Sequence, residues 1–160
     1  MSDTLVAYFS ATGATERLAK ALTSVLGADL RRIEPAVAYT AADLDWRDEG
    51  SRSSVEMRDP AARPGIAGRP LDLAGYEVVY LGSPIWWGLP PRIVNAFLEA
   101  HDFAGKTVIP FVTSGSSGVG QTDQRLRASG CDGVNWRPAT RLAADASANQ
   151  LRRWVESSTG

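Results

Sequence analysis

Leu5-Val6-Ala7-Tyr8-Phe9 runs without a polar residue straight into Ser10-Ala11-Thr12-Gly13-Ala14-Thr15. A continuous apolar run of strand length is what a central strand buried on both faces requires. The segment after it changes period: Leu18, Leu22, Val25 and Leu26 recur at helical spacing, and Gly27 is placed to stop the helix. Leu30 to Ile33 supply a second, shorter strand. The first part of the chain therefore reads strand, loop, helix, strand.

The same alternation continues outward. Glu77-Val78-Val79-Tyr80-Leu81 is another buried strand, and it ends in Gly82-Ser83-Pro84-Ile85-Trp86-Trp87-Gly88. Pro90 and Pro91 fit the first turn of a helix, where a missing N–H costs nothing, and Ile93, Val94, Phe97 and Leu98 supply its buried stripe. Lys106 to Val112 is the next strand, followed by a loop from Thr113 to Gly120. A weaker helix from Thr122 to Ala128, a last strand within Val134 to Leu142, and a terminal helix carrying Leu151, Trp154 and Val155 complete the series. Strands that alternate with helices predict an α/β fold with a parallel sheet covered on both faces. Residues 1–160 read as a single domain with one excursion at about 35–75. Within it Thr40-Ala41-Ala42-Asp43 resembles a capping box and predicts a short helix through Leu44 and Trp46, whereas Arg58 to Gly65 is too rich in Pro and Gly to continue one.

Composition excludes several classes. The 160 residues carry 17 Lys and Arg against 18 Asp and Glu, a net charge of −1, so no clustered basic excess invites nucleic acid or an anionic membrane. One cysteine, Cys131, and one histidine, His101, leave no disulfide framework and few metal ligands, so no metal is expected. The Met1-Ser2-Asp3-Thr4 start lacks the basic region of a signal peptide, no apolar stretch is long enough to span a membrane, and a cytoplasmic location is expected.

Each of the three clearest strands ends in a loop of small, hydroxyl or aromatic residues that leads into a helix. In an open parallel sheet such loops emerge together at the carboxyl edge, where ligands bind. The first offers the hydroxyls of Ser10, Thr12 and Thr15, the flexible Gly13, and helix N-terminal amides able to hold a phosphate without Lys or Arg; an ordinary Ser/Thr N-cap accounts for the same residues. Neither G-x-x-x-x-G-K-[ST] nor G-x-G-x-x-G is present there. The second loop carries Trp86 and Trp87, flat apolar surfaces able to stack on a planar ring or to pack into protein. The third is small and polar, with Gly115, Gly118 and Gly120 permitting close backbone approach.

Ser10-Ala11-Thr12-Gly13-Ala14-Thr15 resembles the FMN-phosphate loop of flavodoxin-like proteins. Gly82-Ser83-Pro84-Ile85-Trp86-Trp87-Gly88-Leu89-Pro90-Pro91 and the segment Lys106 to Gly118 are similar to a bacterial flavodoxin-like family with a Trp-Trp second loop, and so is Asp59-Pro60-Ala61-Ala62-Arg63-Pro64. The resemblance implies a doubly wound five-stranded sheet of order 2-1-3-4-5, with bound FMN. Carried over, it assigns Ser10, Thr12, Gly13, Ala14 and Thr15 to the phosphate, and Pro84, Ile85, Trp86, Trp87 and Gly88 to the isoalloxazine, with Trp86 as the stacking ring. Thr113, Ser114, Gly115, Ser116 and Gly118 fall at its polar edge. Two departures stand out: Ala14 replaces the Asn or Thr of many flavodoxins, and the third loop lacks the aromatic that covers the second ring face in typical electron carriers.

FMN would bring redox chemistry, with catalytic residues unassigned. No Ser-His-Asp set, carboxylate pair or G-x-S-x-G elbow points elsewhere, His101 suits a surface or C-capping place, and Cys131 lies in a turn-like stretch. Three functions stay open: electron transfer or reduction of a small acceptor through FMN, an NAD(P)H-dependent FMN quinone reductase, and a non-catalytic module binding a phosphorylated ligand or a protein. The donor, the acceptor and the oligomeric state are not written in the residues. Arg47, Arg52, Arg58, Arg63 and Arg69 of the excursion either reach the flavin site or an acidic partner, or are solvated; Arg63 belongs to the family-like stretch.

Overall fold

The structure is a computed structural model, and it describes residues 3–114, 118–130 and 132–159. Strand β1 (Thr4–Tyr8) pairs in parallel with β2 (Asp29–Arg32) on one side and β3 (Val78–Pro84) on the other; β3 continues to β4 (Thr107–Thr113). The order β2-β1-β3-β4-β5 is that of a doubly wound sheet. Helix α1 (Ala14–Leu26) follows β1, and α5 (Ala148–Thr159) packs beside it. On the opposite face α3 (Arg92–Glu99) packs on α4 (Thr122–Ser129).

The two faces explain the uninterrupted apolar strands. Leu5, Ala7 and Phe9 join Val79, Leu81 and the α3 stripe Ile93, Val94, Phe97 and Leu98 in one core. The alternate residues Val6 and Tyr8 join Leu18, Leu22, Tyr80, Ile109 and Leu151 in the other. Each strand residue thus faces a covered side, so none needs to be polar. Gly82 in β3 lies opposite Phe111 in β4, and a Cβ at Gly82 would fall inside contact distance of the Phe111 ring. Gly27 caps α1 at φ 64°, the left-handed conformation that ends a helix.

The fifth sheet position is divided. β5 (Asn135–Trp136) pairs with Thr107 and Val108, and β6 (Thr140–Leu142) pairs with Phe111 to Thr113. The sheet therefore holds six strands, not five. The break has a local cause: Pro138 has no N–H to donate, and the Ala139 N–H is taken by Asp123 Oδ1 of α4 at 2.8 Å.

The excursion departs from expectation at one point. Thr40 and Asp43 do exchange the two bonds of a capping box, Thr40 N–H to Asp43 Oδ2 at 2.9 Å and Asp43 N–H to Thr40 Oγ1 at 3.1 Å. Only turns follow, and no helix runs through Leu44 and Trp46. Trp46 is 65% exposed, so this segment has no buried face to sustain a helix. The helix of the region is instead α2 (Arg52–Arg58), capped by Ser51, with Ser53, Ser54 and Met57 buried. Likewise Pro90 and Pro91 precede α3, Pro91 standing at its N-cap.

The excursion is fastened to the sheet and α3 at several places. Pro35 and Ile66 form an antiparallel bridge, flanked by Ala36 N–H to Gly65 O and Ala67 N–H to Glu34 O. Arg63 makes a bidentate pair with Glu99 at 2.8 and 3.0 Å. His101 Nδ1 donates to Phe97 O at 2.8 Å and Nε2 accepts the Leu71 N–H at 2.9 Å, so this ring caps α3 and holds the returning chain. Among the described residues no helix is long and apolar enough to cross a membrane.

Candidate functional site

Three strand ends meet at one edge of the sheet. After β1, Ser10 is buried and its Oγ accepts the Gly13 N–H at 3.0 Å, which turns the loop. Gly13 at φ 98° is the N-cap of α1 and contributes no side chain to cap it. The first intrahelical bond of α1 runs from Arg17 N–H to Gly13 O. The amides of Ala14, Thr15 and Glu16 precede it and point out of the helix start as donors. Thr12 is exposed beside them, and Ala14 is half-buried.

Thr15 turns inward. Its hydroxyl lies 2.7 Å from the hydroxyl of Thr113 at the end of β4, and both residues are buried. The first and third loops are thereby joined. Ser114 is held from the other side by Arg141 of β6, whose Nε and Nη2 donate to Ser114 Oγ and O at 3.2 and 3.0 Å. Gly115 and Ser116, also expected at the site, lie outside the described residues, as does Cys131.

The two tryptophans of the second loop diverge. Trp86 meets Phe9 and Tyr39 edge to face, with ring centroids 6.1 and 5.8 Å away. Trp87 adopts φ 51° and is 54% exposed. Pro84 and Ile85 are half-buried below them. Gly88 ends the turn, and its carbonyl accepts the Gln121 N–H at 2.9 Å. Gly120, at φ 55°, approaches so closely that a Cβ there would strike Gly88 O and lie 2.8 Å from Gly88 Cα. Second and third loops are therefore in backbone contact, and Gly118 lies two residues before that contact.

The excursion contributes residues that the sequence did not single out. A cavity of about 210 Å³ is bounded by Ala11 and Thr12 from the first loop, Pro84, Trp86 and Trp87 from the second, and Leu44, Trp46 and Ser53 from the excursion. Tyr39, which buttresses Trp86, is itself fixed by Glu56 at 2.5 Å and by the Arg52 guanidinium 3.8 Å above its ring. Burial, then the Glu56 carboxylate, raises the Tyr39 phenol above its ordinary range. Tryptophan and tyrosine in a turn-rich segment were the available signal; what hid their role was the distance in sequence from the loops they face.

A base also reaches the phosphate-type loop. Arg32 ends β2, and its Nη2 donates to Ser10 O at 3.3 Å. Glu34 at 2.9 Å and Glu16 at 3.5 Å neutralise it. Tyr8 donates to the same Glu16 at 2.8 Å; that bond, opposed in part by burial, holds the Glu16 carboxyl below its usual range, and burial together with the bond pushes the Tyr8 phenol up to about 12. Of the excursion arginines, Arg52 and Arg63 are engaged within the fold, and Arg47 lies over the Trp46 ring at 5.1 Å.

A sequence profile described as flavodoxin matches residues 3–158. A crystal structure of a protein from Bacteroides uniformis, provisionally described as a flavoprotein, is 49% identical over 96% of this chain and 97% of that one, with a TM-score of 0.90. A protein of the same provisional description from Bacteroides eggerthii is 45% identical over 98% of both chains, with a TM-score of 0.91. A Lactobacillus acidophilus flavoprotein solved in complex with FMN covers 98% of both chains at 19% identity and a TM-score of 0.72, a likeness of fold. No curated protein matches the sequence.

Proposed function

The chain belongs to the flavodoxin family, and on that premise we propose that it binds FMN and passes electrons through it to a protein or small-molecule acceptor. The observation that carries this reading is the junction of Thr15 with Thr113. Two hydroxyls 2.7 Å apart need only one proton between them, so the second proton of the pair is left for another acceptor. The acceptor it suits is an anion, because the free amides of Ala14, Thr15 and Glu16 and the positive end of α1 lie at the same place.

The fit extends to a phosphate ester of a planar ring. Thr12, Gly13, Ala14 and Thr15 would hold the phosphate, while Ser10, whose Oγ already accepts the Gly13 N–H, shapes the loop. With Arg32 neutralised by two carboxylates, the loop offers amides and hydroxyls more than net positive charge, which suits one phosphate better than a polyphosphate. Pro84, Ile85, Trp86, Trp87 and Gly88 would border the ring. Trp87 is favoured as the stacking face because its indole is exposed, whereas Trp86 is engaged by Phe9 and Tyr39 and steadies the loop. Thr113, Ser114 and Gly118, with Gly115 and Ser116, would supply polar groups to the ring edge. When bound, FMN supplies reversible electron and hydride transfer.

An enzymatic form of this reading, an FMN quinone reductase fed by NAD(P)H, is favoured by a further cavity of about 360 Å³ that shares Trp46 and Trp87 with the first. The test is direct. Protein purified mildly, or reconstituted with FMN, is expected to show flavin absorbance, and the released cofactor is expected to be FMN. Nicotinamide oxidation that depends on an added quinone supports the enzyme; reduction by dithionite without nicotinamide oxidation supports the carrier. Protein that stays colourless and fails to take up FMN after reconstitution removes the proposal and leaves a non-catalytic binding module.

A further inference from the structure

Among the described residues the exposed large apolar side chains are Val37, Trp46, Val55 and Trp87. Two of these four, Trp46 at 65% and Trp87 at 54% exposure, face one cavity of about 360 Å³ between α2 and the second loop. Exposed indoles gathered at a concave surface mark a place where apolar area is held ready for a ligand. Met57, nearly buried on α2, and Leu89, half-buried after the Trp-Trp turn, extend the apolar wall.

The charged residues of the cavity give it a sign. Arg58 ends α2 and Glu49 lies on the segment leading to it; both are exposed, both line the cavity, and neither forms an ion pair with the other or with any described residue. The remaining excursion arginines differ in this respect where the fold engages them: Arg52 pairs with Glu56 and Arg63 with Glu99. Arg47 lies over the Trp46 ring but does not line the cavity, so Arg58 is the cation that the cavity itself presents, and Glu49 limits how much negative charge it accepts.

We propose that this cavity is a second binding site, for a planar aromatic molecule of one or two rings that carries a single acidic group. Trp46 takes the ring face, Met57 and Leu89 the apolar edge, and Arg58 the carboxylate or sulfonate, with Trp87 forming the wall between this cavity and the second loop. A volume near the lower limit of ligand cavities, about 300 Å³, sets the size. Glu49 disfavours a dianion. The position of this site next to the cofactor rests on the FMN reading; the binding itself does not.

The probes are 2-naphthalenesulfonate and its uncharged isostere 2-naphthalenesulfonamide, titrated calorimetrically into the full chain with and without FMN. Binding of the sulfonate to FMN-loaded protein at one per chain, more tightly than the sulfonamide, is the expected result. Arg58→Gln is expected to weaken the sulfonate about tenfold, the size of one partly solvated charge-assisted bond, and to leave the sulfonamide and FMN unchanged. Glu49→Gln is expected to tighten the sulfonate, and Trp46→Ala to weaken both probes. Failure of either probe to bind protein that retains FMN overturns the proposal. Displacement of the sulfonate by FMN also overturns it, since the cavity would then be part of the cofactor's own site. So does an Arg58→Gln protein, folded by its thermal midpoint, that weakens both probes equally. If FMN does not bind and the sulfonate still does, with the Arg58 dependence, the second site stands and the cofactor reading falls.

Discussion

The hydroxyls of Thr15 and Thr113, 98 residues apart in sequence, lie 2.7 Å from one another and tie the start of α1 to the end of β4. Each is buried, so neither can be replaced by water without rearrangement. The pair makes the anion-type loop and the third loop one structure.

Thr15→Val removes one hydroxyl of the pair and, on the FMN reading, a donor beside the phosphate. A hydrogen bond to a charged group contributes about 1.5–3 kcal/mol, so FMN affinity is expected to fall roughly 10- to 100-fold. Thr113→Val leaves Thr15 with a free hydroxyl but no anchor, and is expected to lower stability by about 1–3 kcal/mol with a smaller loss of affinity. Fluorescence titration of flavin with apoprotein and urea unfolding measure the two effects separately.

Gly120 and Gly88 test the contact between second and third loops. A Cβ at Gly120 meets the Gly88 backbone, which cannot swing away as a side chain can; at Gly88 itself, φ 75°, a Cβ meets nothing within 4 Å. Gly88→Ala is therefore expected to cost only the left-handed backbone term, about 1–2 kcal/mol. Gly120→Ala forces the loops apart as well. It is expected to weaken FMN by more than tenfold, the larger of the two losses, while β-sheet cooperativity in thermal unfolding is retained.

Arg63 separates a flavin role from a structural one. Its bidentate pair with Glu99 joins the excursion to α3, and hydrogen bonding to Arg63 holds the Glu99 carboxyl below its usual range. The pair is partly exposed, so Arg63→Ala is expected to cost about 1 kcal/mol or less in stability. FMN binding, measured by the same flavin titration, is expected to stay unchanged; a tenfold loss would return Arg63 to the site.

The contrast between these residues shows what a sequence can carry. Leu5 to Phe9 announced a central strand because both of its faces are covered, a condition that leaves its mark residue by residue. Gly27 and the Ile93 to Leu98 stripe were legible for the same local reason. Thr40 and Asp43 formed their two reciprocal bonds and still produced no helix, because a cap satisfies local donors but propagation needs a buried face downstream. The division of the fifth strand had a visible cause in Pro138, yet its second cause, Asp123 capturing the Ala139 amide, lies in another element. Trp86 and Trp87 were legible as a pair. Which of them packs inward follows from the positive φ of Trp87 and from Phe9 and Tyr39, none of which neighbouring residues disclose.

Tyr8 and Glu16 predict the response to pH. The Glu16 carboxyl lies below its usual range, mainly because Tyr8 donates to it, so this contribution is present above the ordinary carboxylate range, about 4.3, and is lost as pH falls through the lower folded value. Tyr8, raised to about 12, acts at the other end: its contribution is complete below the ordinary phenol range, about 10, and is lost as pH rises through about 12. Tyr8→Phe keeps the buried ring, removes the Tyr8 contribution and removes the largest part of the Glu16 one, leaving what Lys20 and Arg32 supply. Chemical unfolding from acid to alkaline pH is expected to show a shallower decline than the parent protein at each extreme.

Trp86 and Trp87 divide structure from binding. Trp86→Ala removes a ring held between Phe9 and Tyr39 and leaves a void in the apolar cluster, so a stability loss of about 3 kcal/mol or more is expected. Flavin affinity falls with it, because the loop that Trp86 steadies also presents Trp87. Trp87→Ala deletes an indole that is more than half exposed, and its effect on the unfolding midpoint is expected to be slight. Stacking on a planar ring contributes about 1–3 kcal/mol in other aromatic platforms, so a 10- to 100-fold loss of FMN affinity is expected from Trp87→Ala alone. Trp87→Phe retains a flat apolar face and is expected to recover most of it. Affinity lost only in proportion to stability in both variants would show that neither ring meets the cofactor.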